Sequence, residues 1–269
     1  MIEGNTTSIF ISRLAILEDA FVELSAAENI RFPLEVTFHG EQAEDFGGPR
    51  REFFTIVVRE IKERMLDEEI NFVPCDERLA RQHFFYAGLL LGLSAIQGGP
   101  LAPYLHSLLN ASETTEKKQF IKGLRRTGLF QLMQGTGTVR FLFHPTATTT
   151  LTVNKLLHLL TVNFSCEGSS RRAKEEKTYN EFVKYLRDVY AGRRGDNISL
   201  GNVLNFITCV ENIPPLGFAI TPSLTFVDDA GPFPTAQTCI NRIILPSGTA
   251  ALNPDFLDLA FLNAHFGHT

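Results

Sequence analysis

The sequence carries little excess charge of either sign. A formal net charge of −5 offers no basic face of the kind that holds phosphate backbones, so nucleic acid is not an expected partner. Its four cysteines, Cys75, Cys166, Cys209 and Cys239, are far apart and form no C-x-x-C pair, which removes the usual zinc and dithiol spacings. No charged-then-apolar segment opens the chain, and the expected compartment is reducing, cytoplasmic or nuclear. The Asn-x-Ser/Thr triplets at Asn5, Asn110, Asn163 and Asn197 are accordingly read as chance. No apolar run is long enough to span a bilayer: Tyr86 to Ile96 is the greasiest, and Gly98-Gly99-Pro100 follows it, so no membrane partner is expected. Gln134-Gly135-Thr136-Gly137-Thr138 lacks the Gly-Lys-Ser/Thr of a phosphate loop and reads as a turn. His265 and His268 stand at i, i+3 without further ligands nearby, so neither a metal nor a cofactor is expected.

What remains is ordinary globular sequence. Its 269 residues, 44% hydrophobic and 20% charged, can bury one large core or two smaller ones. The chain opens directly on foldable sequence, and the expectation is a domain cut from something longer. Leu14, Leu17, Phe21 and Leu24 recur at helical spacing and predict a helix from Ser12 to near Asn29. Leu34 to Phe38 alternates as a strand does. Pro49 opens a helix burying Phe54, Val57, Ile61 and Met65. Leu79, His83, Tyr86, Leu90 and Leu93 outline a central helix, with His83 read as a core histidine. Ser112 to Lys118 reads as a linker, Phe120 and Leu124 as a short helix broken at Gly128, and Val139 to Phe143 as a strand or extended segment. Leu151 to Leu160 is helical with a cap from Thr148, Thr149 or Thr150. The polar run Gly168 to Lys177 reads as a solvated linker and first helical turn, leading into Tyr179, Phe182, Leu186 and Tyr190. Ser199 caps a helix carrying Val203, Leu204 and Ile207, stopped by Asn212 to Phe218. Pro254 to Leu262 predicts a last helix.

Cys239 lies between a proline-led polar turn, Phe233 to Thr238, and the apolar run Ile240 to Leu245. A free cysteine is more often a small buried hydrophobe than a reactive group. Its surroundings change that reading, because Pro234, Ala236, Thr238, Cys239, Asn241, Leu245 and Pro246 together resemble the active-cysteine segment of HECT-type ubiquitin-protein ligases. Two more stretches resemble the same family. One is Gly40-Glu41, Asp45-x-Gly47-Gly48 and Arg51-Glu52-Phe53-Phe54. The other is Leu204-x-Phe206 followed by Ile213-Pro214-x-x-Gly217-Phe218. His83 to Leu109 is most similar to the compact vertebrate group related to the cell-cycle-phase-specific HECT ligases.

The resemblance implies an α+β, bilobal fold: a mainly helical amino-terminal lobe over residues 1–165 and a small α/β lobe over 166–269, with a hinge near Cys166 to Lys177. It implies that Cys239 accepts ubiquitin as a thioester and passes it to a substrate lysine, supported by Thr238 and Asn241, while Phe266 helps place the acceptor lysine. The implied partners are ubiquitin, a ubiquitin-conjugating enzyme and a protein substrate. Between Leu109 and Phe120 little room remains for the subdomain that receives the conjugating enzyme in this family. Ser247 stands where a tyrosine is often found, and the tail lacks a terminal acidic residue. Two readings follow, an active compact ligase and a catalytically impaired binding module. A cysteine protease pairing Cys239 with His265 or His268 is the competing enzyme class, although nothing around Cys239 resembles its local signatures.

Overall fold

The computed structural model describes residues 5–30, 32–41, 48–145, 150–214, 217–228, 231–247 and 252–263. The chain divides into two compact units, residues 1–148 and 149–269.

The first unit opens with β1 (Thr7–Ile11), α1 (Ile16–Ala26) and β2 (Leu34–Phe38). The strands pair in parallel with Ile9 opposite Val36, and the alternating Ile9, Ile11, Leu34, Val36 and Phe38 are all buried, as period-two patterning requires. The helix expected from Ser12 begins instead at Ile16. A chain leaving a strand must turn before it can coil, and here Ala15 N–H bonds the Ser12 carbonyl while Asp19 Oδ2 accepts from Ser12 N. Leu14 sits in that turn and is 99% exposed, so it takes no part in the helix's apolar face.

Pro49 stands in the first turn of α2 (Gly48–Met65), whose buried residues include Phe54, Val57, Ile61 and Met65. The single helix expected from Leu79 is two, α3 (Asp76–Ala80) and α4 (His83–Ile96), broken where Gln82 adopts a left-handed φ of +58°. From Ala87 to Ser94 every residue of α4 is buried. Against it runs α6 (Thr115–Arg126), so closely that a Cβ on Gly123 would lie 1.8 Å from the Phe85 carbonyl oxygen, and one on Gly88 2.1 Å from that of Phe120. Only residues 111–114 connect α5 (Leu105–Asn110) to α6. They are tied down by Lys117, which donates to the Ala111 carbonyl and pairs with Glu113 at 3.0 Å. The linker expected to run to Lys118 therefore stops at the Thr114 cap. After Gly128, α7 (Leu129–Gly135) and α8 (Gly137–Phe141) follow, so the expected turn at Gln134 to Thr138 is the break between two helices. Val139 to Phe143 is not extended. A lone strand leaves its backbone unpaired, whereas here Val139, Leu142 and Phe143 N–H groups find acceptors three residues back.

His83 is half-buried, its ring 4.7 Å from that of Phe21. Burial, then the Arg81 and Arg78 guanidinium groups, push its imidazole below the usual 6.5. The unfolded chain therefore binds the proton more readily. The stabilisation is fully present above about pH 6.5 and is lost as pH falls through the lower folded value. In denaturant titrations across that range, His83→Gln is expected to flatten the acid-side decline relative to wild type; an unchanged slope would place its origin elsewhere.

The second unit begins with α9 (Val153–Leu159), capped by Thr152 rather than by an earlier threonine. Val153, Leu156 and Leu160 pack with Phe182, Leu186, Val203 and Leu204, so the boundary expected at 165/166 falls earlier, at 148/149. After β3 (Thr161–Val162) comes α10 (Ser170–Tyr190), capped by Ser169 Oγ. Glu175 is 2% exposed and accepts from both Ser165 N and Ser165 Oγ at 2.6 Å. The supposed hinge, Cys166 to Lys177, is thus a capped and bonded helix start inside one unit. In α11 (Leu200–Thr208), Ser199 and Asn202 form a reciprocal capping box, and Cys209 ends the helix in a left-handed conformation. The sheet is completed by β4 (Ser223–Val227), β5 (Thr235–Gln237) and β6 (Arg242–Pro246) in the order β3-β4-β6-β5, with α12 (Pro254–Leu262) closing the core through Leu257 and Phe261. Among the described residues no helix is long and apolar enough to cross a membrane.

Candidate functional site

Ala236, Ile243 and Leu245 are buried, which anchors β5 and β6 as an antiparallel pair with Ala236 opposite Ile243. β6 also pairs in parallel with β4. At its far end Ser247, fully buried, donates from its backbone to Val227 and from Oγ to Asp228 Oδ1 at 2.9 Å. β6 is therefore paired on both sides and held at its far end, while β5 forms the edge of the sheet. Its tip is a 3-10 turn, Thr238–Ile240, with Cys239 at the centre. The strand expected from Ile240 starts two residues later because this turn intervenes. Cys239 is half-buried, and its thiol makes no hydrogen bond to a described residue.

Asn241 makes the turn possible. Its φ of +52° and ψ of 48° are left-handed, a conformation Asn tolerates better than other side chains with a Cβ. Its N–H donates to the Thr238 carbonyl, its carbonyl accepts from Ser223 N at 2.9 Å, and its Nδ2 donates to the Ile220 carbonyl at 2.7 Å. With 0% exposure, Asn241 binds the cysteine turn to the preceding loop instead of facing a ligand. Its Oδ1 is buried without a protein partner. Thr238, also half-buried, contributes that carbonyl to the turn. Thus Thr238, Cys239 and Asn241 come together, while Phe266, His265 and His268 lie outside the described residues. Of the other cysteines, Cys209 is buried at a helix end, Cys75 precedes α3 and Cys166 is exposed before α10. Among the described residues, no cluster of three or more His, Cys, Asp or Glu could hold a metal ion.

The clamp is separable from the thiol. Asn241→Gly keeps the backbone conformation and loses the side-chain bond. Asn241→Ala also meets the left-handed penalty and leaves the Ile220 carbonyl unpaired, roughly 2–4 kcal/mol together. Asn241→Asp tolerates the φ but turns a carboxylate towards a carbonyl. Urea denaturation should rank Gly as the mildest of the three, and the alkylation rate of Cys239 should change in all three. Unchanged alkylation would remove Asn241 from the positioning role.

Beside the hairpin an apolar groove of about 460 Å³ is lined by Phe206, Phe233, Pro234, Thr235, Leu259, Ala260 and Asn263. Sequence reasoning missed it. Leu259 reads as part of the last helix's packed face, yet it is 52% exposed, and Phe233 is 42% exposed beside the Phe256 ring. The only signal was a motif that begins on an exposed aromatic.

The hairpin thus carries a half-buried thiol at its tip and an apolar groove beside it, and a thiol so placed can act as a nucleophile. A comparison with curated proteins finds no match. The HECT-domain (ubiquitin-transferase) family profile matches residues 103–251, more than half of the chain, and that match contains the whole hairpin. On that match the chain belongs to the HECT-domain family of ubiquitin transferases.

Proposed function

We propose that this protein is a compact HECT ligase whose Cys239 carries ubiquitin. In the first step the Cys239 thiolate attacks the carbonyl carbon of the thioester joining ubiquitin to a conjugating enzyme. The old carbon–sulfur bond breaks, and the conjugating enzyme leaves as its own thiolate. In the second step a substrate lysine amine attacks the new thioester, an isopeptide bond forms, the Cys239 thiolate is released and the ammonium proton passes to water. Exchange of one thioester for another is nearly isoenergetic, so placement matters more than activation. The observation that supports this reading is the half-buried Cys239 at the tip of a hairpin clamped by Asn241. The groove at Phe233 and Leu259 supplies apolar surface for a protein held on that thiol. Thr238 supports the turn, and Phe266 is assigned to placing the acceptor lysine. In this reading the two units act as the two lobes, and the protein works in cytoplasm or nucleus with kinship to the cell-cycle-phase-specific group.

A second reading, a binding module without turnover, is favoured by one specific feature: with only residues 111–114 between α5 and α6, no docking subdomain stands there. Single-turnover loading separates the two. The chain is mixed with a panel of ubiquitin-charged conjugating enzymes, and a thiol-sensitive ubiquitin adduct is sought. An adduct supports the ligase. Its absence across the panel, from protein with a cooperative melt, supports the module.

A further inference from the structure

The exposed face of α6 carries Lys118, Lys122, Arg125 and Arg126. At 100° per residue these four fall within one sector of the helix, a stripe about 12 Å long at the helical rise of 1.5 Å. The spacings Lys118–Lys122 and Lys122–Arg126 are i, i+4, and Lys122–Arg125 is i, i+3, so each contact between neighbours is repulsive. Several other cations of this unit are matched: Arg13 pairs with Glu41 and Glu52, Arg64 with Glu18 and Glu60, Arg81 with Glu77, and Lys117 on α6 itself with Glu113. Lys118, Lys122 and Arg126 have no carboxylate at ion-pair distance among the described residues, and Arg125 instead lies 5.0 Å over the Phe130 ring. The helix dipole accounts for Arg125 and Arg126, which stand in the last turn. Lys118 and Lys122 lie outside the reach of that effect.

We propose that this stripe is a docking surface for an acidic, Asp/Glu-rich protein segment. The charge pattern selects the class of partner. A duplex or a bilayer presents negative charge over tens of ångströms and would meet the rest of a chain whose net charge is −5. A short acidic segment meets only the stripe, since salt limits the influence of more distant charges to about 10 Å. Such a partner relieves the repulsion among the four cations, which water and counterions only damp.

The test uses the full chain and a fluorescein-labelled octaglutamate peptide, with anisotropy read at about 50 mM and about 300 mM salt. Binding is expected at the lower salt and should weaken at least ~10-fold at the higher. The exposed pair Lys118→Glu and Lys122→Glu together should weaken it ~10-fold or more with an unchanged circular dichroism spectrum and a melting temperature no lower than wild type, because position 122 then attracts Arg125 and Arg126 while the 118–122 spacing stays repulsive as before. Cys239→Ala should bind the peptide as wild type does, so this surface and the thioester reading stand or fall separately. No binding at low salt, equal binding by the double variant, or tighter binding to a poly(U) oligonucleotide or to phosphatidylserine vesicles would each overturn the assignment.

Discussion

Cys239→Ala is expected to abolish the ubiquitin adduct, a loss of at least ~1,000-fold in loading rate, equivalent to about 4 kcal/mol of transition-state stabilisation. Alanine removes the nucleophile and little else. Cys239 is half-buried, its thiol makes no hydrogen bond to a described residue, and the turn around it is held by backbone groups and by Asn241. The melt of the variant should therefore match wild type, which separates lost chemistry from lost fold. Cys239→Ser gives a sharper result: a hydroxyl is a far weaker nucleophile, and any adduct it forms is an oxyester that survives reducing agent, whereas the wild-type adduct does not. Cys166→Ala serves as the control, because Cys166 is also accessible but precedes α10 on a loop with no such clamp. Loading that persists in Cys239→Ala and vanishes in Cys166→Ala would move the active thiol.

Gly123→Ala is expected to destabilise the first unit by about 3 kcal/mol or more, even though alanine is the better helix former by roughly 1 kcal/mol. The added methyl would stand 1.8 Å from the Phe85 carbonyl oxygen and 2.8 Å from Leu89 N. These are backbone atoms of α4 and cannot rotate aside, so the helices must separate. Separation opens gaps around Phe84, Phe120 and Leu124, which have 0% exposure. Gly135→Ala is the matched control: nothing lies within 4 Å of its added Cβ, and the change should be neutral or slightly stabilising. Urea unfolding followed by circular dichroism reads both. Equal stability of the two variants would show that α4 and α6 can move apart at little cost.

Elements whose cause is local are legible in the amino-acid pattern itself. Leu34 to Phe38 alternates and is β2 at those bounds; Ser199 caps α11; Pro49 starts α2 beside Gly48. The hairpin of the site is legible there only as a cysteine near a strand. That its turn depends on a left-handed Asn241 pinned to Ile220 is a contact across 21 residues, and no periodicity encodes it. Leu14 and Val139 to Phe143 mislead for the same reason. Apolar character and β propensity report what a segment prefers, while the turn after β1 and the hydrogen bonds that Val139, Leu142 and Phe143 make three residues back decided what each became.

The polar run at Gly168 to Lys177 shows the limit most clearly. Composition alone places it in solvent, yet the carboxylate of Glu175 is buried because Ser165, ten residues earlier, supplies two donors to it. By itself the sequence determined the family, the alternation of β2 and the Ser199 cap of α11, since each rests on neighbours a few positions away. Only the tertiary structure decided where the chain divides, which leucines face water, that α4 and α6 meet backbone to backbone at Gly88 and Gly123, and that Asn241 is a buried clamp. Those outcomes depend on distant segments competing for the same space and the same hydrogen-bonding groups, a competition that no local pattern records.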